Sequence, residues 1–347
     1  MKQDFFLTFV IQLAHYKRYC KVMLAIGLAL PTVAYSTNGY ASLKYDSTKP
    51  IYDESKLARS VGDIDALLKD ANSKGQRVLF YLHGRGDEPE KSFDPKMTGG
   101  GVFGRLSSEY GVRVILINWN SKAKGTDRSE PLSKVEEGAT TFNRVLANIV
   151  EFQRLNPAVP RPALLVHSMG SIVISSQVQK HGWPAAQGKP IFSNILFSQP
   201  DSDSQGHAEW LSKVAASERV YVTQNLHDSV LKLSTNARSP ESNFALGLKP
   251  VEPLASNVSY VNLTEALRIK TIFFVYKLGA HPVFTKSWMG GNVSTCVFIT
   301  KILVGEKFEP IEIAGVSLLS AGRYSVAANV DNNHYCFKQT VANDDNE

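Results

Sequence analysis

The chain has 347 residues, of which 43% are hydrophobic and 20% are charged, as in an ordinary globular protein. This composition excludes long disordered segments, and the length allows one large α/β domain with additions. The formal net charge is +6, but the first 36 residues hold four basic residues against one acidic residue, so the remainder carries only +3. This small net positive charge, carried by scattered basic residues, argues against a nucleic-acid partner.

Residues 1–36 have the features of a cleaved export signal. A basic group at 17–21 precedes the apolar run 22–30, and small residues follow at Ala34 and Ser36 with the spacing that a leader peptidase needs. The run is too short to cross about 30 Å of hydrocarbon as an anchor. We therefore expect a periplasmic or secreted protein with no stable membrane span after leader removal; an uncleaved anchor or a buried N-terminal helix are the alternatives.

Removal of the leader would leave two cysteines, Cys296 and Cys336. An oxidising compartment would permit a bridge between them, and two free buried thiols are the alternative. No spacing of cysteine and histidine is typical of a zinc site. The sequence therefore predicts neither a metal nor an organic cofactor.

From residue 78 onward, apolar β-rich runs alternate with helical patterns, which predicts a mostly parallel sheet covered by helices on both faces. The predicted strands span 78–82, 112–119, 163–166, 191–197, 219–223 and 258–261, and the predicted helices 134–155, 170–180 and about 207–214. We expect an N-terminal extension at 37–74, a main α/β domain at 75–290 and a C-terminal β-rich appendage at 291–347. Within the appendage, the run 297–304 predicts a strand, and no helix is evident.

Ser168 lies between a predicted strand and a predicted helix, and Gly170 follows two residues later. This is the setting of a nucleophile elbow, in which a tight turn projects the serine hydroxyl above the sheet edge. The usual pattern is G-x-S-x-G, and Val166 stands where its first glycine would be. The alternative is a serine that merely caps a helix, but His167, Gly170 and the strand before them favour a nucleophile.

Acyl transfer to serine requires two backbone N–H groups that stabilise the tetrahedral oxyanion. Met169, directly after the serine, would supply the first of them. The glycine-rich loop that begins at His83 would supply the second, from Gly84 or Arg85. A plain turn is the alternative interpretation of this loop.

A serine hydroxyl also needs a histidine as base and a carboxylate that orients the histidine, in the chain order serine, acid, histidine. His281 follows the last core strand and is our candidate base, with His334 as the alternative. Asp228 follows the second strand after the nucleophile and is the candidate acid. Asp201 is the alternative acid, and either aspartate could instead cap a helix.

These motifs, taken in order, resemble a group of uncharacterised bacterial α/β hydrolases that is classed as a domain of unknown function. The resemblance covers roughly residues 75–290 and rests on segments 80–84, 115–119, 166–170, 193–201 and 221–231. It implies the α/β-hydrolase fold, a triad of Ser168, Asp228 and His281, and a family role for Asp201. The departures from the group are Val166 and the long stretch before His281.

The sequence therefore predicts an exported serine hydrolase that cleaves an ester or related acyl bond in a small-molecule or lipid-like substrate through an acyl-enzyme. No long apolar lid is evident between Pro200 and His207, which argues mildly against a lipase. Two alternatives remain: a catalytically silent scaffold used for binding, and an acyltransferase with the same triad.

Overall fold

The structure of the chain, a computed structural model, describes residues 51–52, 58–86, 101–122, 128–237, 244–267, 281–284 and 292–328. The predicted export signal, His334 and Cys336 lie outside these residues. The alternation of strands and helices that the sequence predicts from residue 78 is present in the structure.

One sheet collects the strands of the described residues. They are β1 (Ile51–Tyr52), β2 (Ala58–Arg59), β3 (Arg77–Leu82), β4 (Val112–Ile117), β5 (Ala163–His167), β6 (Asn194–Ser198), β7 (Arg219–Gln224), β8 (Val258–Asn262), β9 (Val316–Ser320) and β10 (Arg323–Val326). Their order is β2-β1-β4-β3-β5-β6-β7-β8-β10-β9. All neighbours from β4 to β10 pair in parallel, and the remaining pairs are antiparallel. The carboxyl ends of β3, β5, β6 and β7 therefore lie side by side at one edge, where open α/β sheets bind ligands.

Eight α-helices belong to the described residues. They are α1 (Ile64–Ser73), α2 (Gly101–Tyr110), α3 (Ser129–Ser133), α4 (Val135–Leu155), α5 (Gly170–His181), α6 (His207–Leu211), α7 (Ser229–Asn236) and α8 (Val293–Leu303). Short 3₁₀ turns lie at Val61–Asp63 and Pro310–Glu312. Within the part of the chain that the structure describes, no helix has the length and apolar character that a bilayer crossing requires.

The sheet is covered on both faces, as the hydrophobic runs of its strands predict. Successive residues of a strand point to opposite faces. Phe80 and Leu82 of β3 accordingly pack with α1, α4, α5 and α6. Leu79 and Tyr81 pack with α2 and α8 on the other face. Two apolar layers thus hold the carboxyl edge of the sheet in a fixed geometry.

The prediction of a strand at 297–304 is wrong, because residues 297–303 belong to helix α8. Asn292 caps the helix, and its Oδ1 accepts a hydrogen bond from the N–H of Thr295 at 2.8 Å. Cys296, Ile299 and Leu303 are buried at helical spacing against the sheet. The β-branched run predicts a strand when only local propensity is considered, whereas burial on one helical face decides the conformation.

Strands β9 and β10 supply the β-rich part of the predicted C-terminal appendage. Tyr324 of β10 pairs in parallel with Val261 of β8, and β9 completes the edge as the antiparallel partner of β10. These strands therefore extend the main sheet. The proposed division into an N-terminal extension, a main domain and an appendage stays a prediction.

His207, the first residue of α6, is buried and lies between two partners. Its Nε2 lies 2.8 Å from the hydroxyl of Tyr260 on β8, and its Nδ1 lies 2.5 Å from the carbonyl oxygen of Ser204. Desolvation by burial lowers the pKa of His207, although the hydrogen bond to Ser204 opposes the shift. Burial also raises the pKa of Tyr260 to about 12. The imidazole is therefore held neutral between α6 and β8.

This burial predicts acid sensitivity. Because the folded pKa of His207 is lowered, its contribution to stability is complete above the unfolded pKa of about 6.5 and is lost as the pH falls from there toward the folded value. The thermal midpoint should decline between about pH 7 and pH 5, and His207→Gln should make that decline shallower. His181→Gln, at an exposed position of α5, is the control. Equal slopes in wild type and His207→Gln would contradict the prediction.

Candidate active site

Ser168, in the turn between β5 and α5, has a left-handed backbone conformation with φ of 51°. A residue other than glycine holds this conformation at a cost of about 1–3 kcal/mol. Hydrogen bonds to the neighbouring β6 segment secure it. The N–H of Ser168 donates to the carbonyl oxygen of Ser198 at 3.2 Å, and the carbonyl oxygen of Ser168 accepts from the N–H of Asp201 at 3.0 Å. This is the geometry of a nucleophile elbow.

Two glycines allow the backbone segments around this turn to approach one another. A Cβ atom on Gly170 would lie 2.9 Å from the carbonyl oxygen of His83 and 3.0 Å from that of Leu82. A Cβ atom on Gly84 would lie 2.9 Å from the Cβ atom of Ser168. Any larger residue at either position would therefore force the serine turn and the loop after β3 apart.

Val166 is the residue at which the turn departs from the G-x-S-x-G pattern. Its side chain is fully buried in β5, in the apolar layer that includes residues of α4 and α5. The close approaches around Ser168 are made at Gly84 and Gly170 instead. The strand therefore accommodates valine in the place of the usual first glycine.

The loop after β3 is held by side chains that follow β4. His83 is fully buried, and its Nε2 lies 3.2 Å from Oδ1 of Asn118. Trp119 Nε1 donates to the carbonyl oxygen of His83 at 2.8 Å. Ser121 Oγ donates to the carbonyl oxygen of Gly84 at 3.0 Å, which also lies 2.8 Å from His83 Nδ1. The peptide between Gly84 and the next residue is thereby fixed in one orientation.

This orientation bears on the predicted oxyanion hole. In a trans peptide the N–H points away from the carbonyl oxygen. Because the Gly84 oxygen faces Ser121 and His83, the N–H of Arg85 is directed to the opposite side. Met169 is buried at the start of α5, and its N–H takes part in none of the backbone hydrogen bonds of the described turns and loops. Met169 and Arg85 therefore stay the two predicted donors of the oxyanion hole.

Asp228 and His281 are in direct contact, although 53 residues separate them in the chain. The carboxylate oxygen Oδ2 of Asp228 lies 2.7 Å from Nδ1 of His281. The other oxygen, Oδ1, accepts a hydrogen bond from the N–H of Leu231 at 3.0 Å and caps helix α7. Asp228 is fully buried and His281 is 8% exposed. Asp228 thus caps helix α7 with one carboxylate oxygen and contacts His281 with the other.

The His281 segment is anchored next to the serine turn by aromatic contacts. The His281 ring packs on that of His167, the residue before Ser168, with centroids 4.7 Å apart. Phe284 packs edge-on against His167 with a centroid distance of 4.9 Å. The hydroxyl of Tyr110 donates to the carbonyl oxygen of Phe284 at 2.6 Å. The imidazole of His281 therefore lies at the elbow, with its Nδ1 edge turned to Asp228.

Asp201, the alternative acid, has different partners. Its Oδ2 lies 3.2 Å from Nη2 of Arg128, and its Oδ1 accepts from the hydroxyl of Ser234 at 2.6 Å. Of the two candidate acids, Asp228 is thus the one in contact with His281. The alternative base, His334, lies outside the described residues.

Several supporting residues escaped the sequence analysis, among them Ser121, Arg128 and Ser234. Gly247 is another: its N–H donates to the carbonyl oxygen of Pro200, and its carbonyl oxygen accepts from the N–H of Asn225, both at 2.8 Å. It joins the loops after β6 and β7. The sequence signal that these residues share is weak: each is polar or a glycine and follows a strand of the parallel sheet, and many other residues do so too.

The comparisons with known proteins agree with this architecture. The family model described as alpha/beta hydrolase of unknown function (DUF900) matches residues 63–241. The chain therefore belongs to the α/β hydrolases, and within them to this family of unknown function. No curated protein matches the chain. The matched range contains β3, the serine turn and Asp228, and it ends before His281.

The crowding at Gly170 generates a test of the elbow. Gly170→Ala should lower the free energy of unfolding by about 1–3 kcal/mol, because the added methyl group meets two backbone carbonyl oxygens that cannot move independently. Gly62→Ala is the matched control, since the nearest atom to its added Cβ would be 3.7 Å away. Urea unfolding of both variants measures the difference. Equal free energies of unfolding for the two variants would contradict the close packing at Gly170.

Proposed function

We propose that the protein is a serine hydrolase in which Ser168 attacks an ester or related acyl bond, with His281 as base and Asp228 as the acid that orients it. Membership of the α/β hydrolases makes it a hydrolase in general terms. The observation that supports the finer assignment is the 2.7 Å contact between Asp228 and the imidazole that packs beside the strained Ser168 turn. A carboxylate, a histidine and a serine in this relation form the unit that activates a serine hydroxyl.

The mechanism begins with proton transfer. Asp228 accepts the Nδ1–H of His281, which leaves Nε2 as the basic nitrogen. As Ser168 Oγ attacks the acyl carbon, Nε2 takes the hydroxyl proton, and Asp228 stabilises the imidazolium. The carbonyl oxygen becomes an oxyanion that can accept hydrogen bonds from the N–H groups of Met169 and Arg85.

Collapse of this intermediate forms the acyl-enzyme. The leaving alkoxide takes the proton from His281 Nε2 and departs as the alcohol. A water molecule then attacks the acyl carbon while Nε2 accepts its proton, and the proton returns to Ser168 Oγ when the acid product leaves. The cycle consumes one water and requires only residues of the chain, and its substrate would be a small-molecule or lipid-like acyl compound.

Substitution of the nucleophile separates chemistry from stability. Ser168→Ala and Ser168→Gly should both lower kcat on p-nitrophenyl butyrate by about 10⁴-fold or more and abolish labelling by a fluorophosphonate probe. Ser168→Gly should also be more stable than Ser168→Ala by about 1 kcal/mol, since glycine adopts a positive φ without strain. Assays of rate, labelling and thermal midpoint test both expectations.

Wild type that folds but neither reacts with the probe nor cleaves a graded ester series would refute the proposal and favour a binding scaffold. His281→Ala should be as inactive as Ser168→Ala, and Asp228→Asn should lose about 10⁴-fold in kcat. His334→Ala should keep its activity. The reverse result for the two histidines would assign the base to His334.

We also propose that the protein is exported to the periplasm or beyond the cell. The predicted leader at 1–36 supports this location. The disulfide bond of Cys296 supports it as well, because disulfides persist mainly in oxidising compartments. Expression in a Gram-negative host should yield a mature chain that starts near residue 37, and in the urea-unfolded chain Cys296 should be protected from iodoacetamide until it is reduced. An unprocessed chain with a reactive Cys296 would contradict export.

A further inference from the structure

A buried ion pair lies beside the proposed triad without belonging to it. The side chains of Arg128 and Asp201 are 13% and 4% exposed, and Nη2 and Oδ2 lie 3.2 Å apart. Burial of two charges costs desolvation energy that their attraction does not always repay. Such a pair is weak evidence for a role in stability, so the contacts that it makes are the better guide to its use.

The contacts of this pair connect two parts of the site. The backbone N–H of Asp201 donates to the carbonyl oxygen of Ser168 at 3.0 Å. Its side chain accepts from Ser234 Oγ at 2.6 Å. Arg128 closes the arrangement, because its Nη1 donates to the carbonyl oxygen of Ser234 at 3.0 Å. Asp201 thus contacts the nucleophile with its backbone and helix α7 with its side chain.

Helix α7 is the element that starts at the proposed acid. Asp228 caps its first turn and contacts His281, and Ser234 lies in its second turn. At the rise of an α-helix, Ser234 lies about 9 Å along the helix axis from Asp228. The hydrogen bond between Asp201 and Ser234 therefore joins the helix that begins at Asp228 to the residue that contacts the Ser168 turn.

We infer that Arg128, Asp201 and Ser234 form a positioning cluster. This cluster holds helix α7, which begins at the proposed acid, at a fixed distance from the Ser168 turn. This inference rests on the proposed serine hydrolase function and assigns Asp201 the role of a positioning residue. Misplacement of reacting groups by about 1 Å can cost about 10²-fold in rate. A cluster that fixes their separation should therefore act on kcat and leave the binding of substrate to the ground state unchanged.

Ser234→Ala is the sharpest test, since it removes one hydroxyl, favours the helix and leaves Arg128 and Asp201 paired. With p-nitrophenyl butyrate, kcat should fall by about 10-fold while KM stays within about 2-fold, as expected for an interaction that acts mainly in the transition state. The rate of fluorophosphonate labelling should fall by the same factor, because that reaction also requires attack by Ser168. Ser234→Thr, which keeps the hydroxyl, should restore both rates.

Ser212→Ala is the control for loss of a serine hydroxyl, because the exposed hydroxyl of Ser212 donates to the nearby carbonyl oxygen of Glu209 at 3.2 Å, whereas that of Ser234 donates to the distant Asp201. It should have the rates of wild type. Arg128→Lys is the second variant: it keeps the charge near Asp201, but an ammonium group cannot reproduce the planar contact with both Asp201 and Ser234. We expect the kcat of Arg128→Lys to fall as well.

Two outcomes would overturn the inference while the proposed function stands. In the first, Ser234→Ala matches Ser212→Ala in kcat and labelling rate. In the second, the thermal midpoint of Ser234→Ala drops but each folded molecule keeps the kcat of wild type, which is the behaviour of a purely structural contact. A wild type that is folded yet neither labelled nor active would overturn both the inference and the proposed function.

Discussion

The left-handed turn at Ser168 is the constraint on which the rest of the site depends. It brings β3, β5 and β6 to within backbone contact of one another, and it is possible only because Gly84 and Gly170 have no side chains to separate them. Hydrogen bonds from the β6 segment then secure the strained residue. Contacts that are distributed over three strands thus offset the free-energy cost of the strained conformation.

The carboxyl edge of the sheet concentrates polar groups that would be costly to bury singly. His83, Asn118, Asp201 and Asp228 are all buried there, and each has hydrogen-bond partners. Because a buried polar group loses free energy if it has no partner, these networks restrict each loop to one arrangement. The apolar layers on both faces of the sheet stabilise the fold, and the hydrogen-bond networks at the carboxyl edge position the side chains of the site.

Local sequence patterns predicted the central strands well, since each is a continuous apolar run bounded by turn residues. The long helix α4 was equally clear, because its buried residues recur at helical spacing. The same approach failed at α8, where the run rich in β-branched residues indicated a strand. The antiparallel edge strands β1 and β2 were missed, since two residues carry no periodicity and their pairing depends on distant partners.

The amino-acid sequence by itself determined the family, the order of serine, acid and histidine candidates, and the glycines that the elbow requires. It favoured Asp228 over Asp201 as the acid and left Asp201 as the alternative, because each follows a parallel strand and both strands end at the same edge. The tertiary structure brings His281 to the carboxylate of Asp228 and Arg128 to that of Asp201. The physical reason is that such contacts join residues 53 and 73 positions apart, and long-range packing rather than local pattern brings them together.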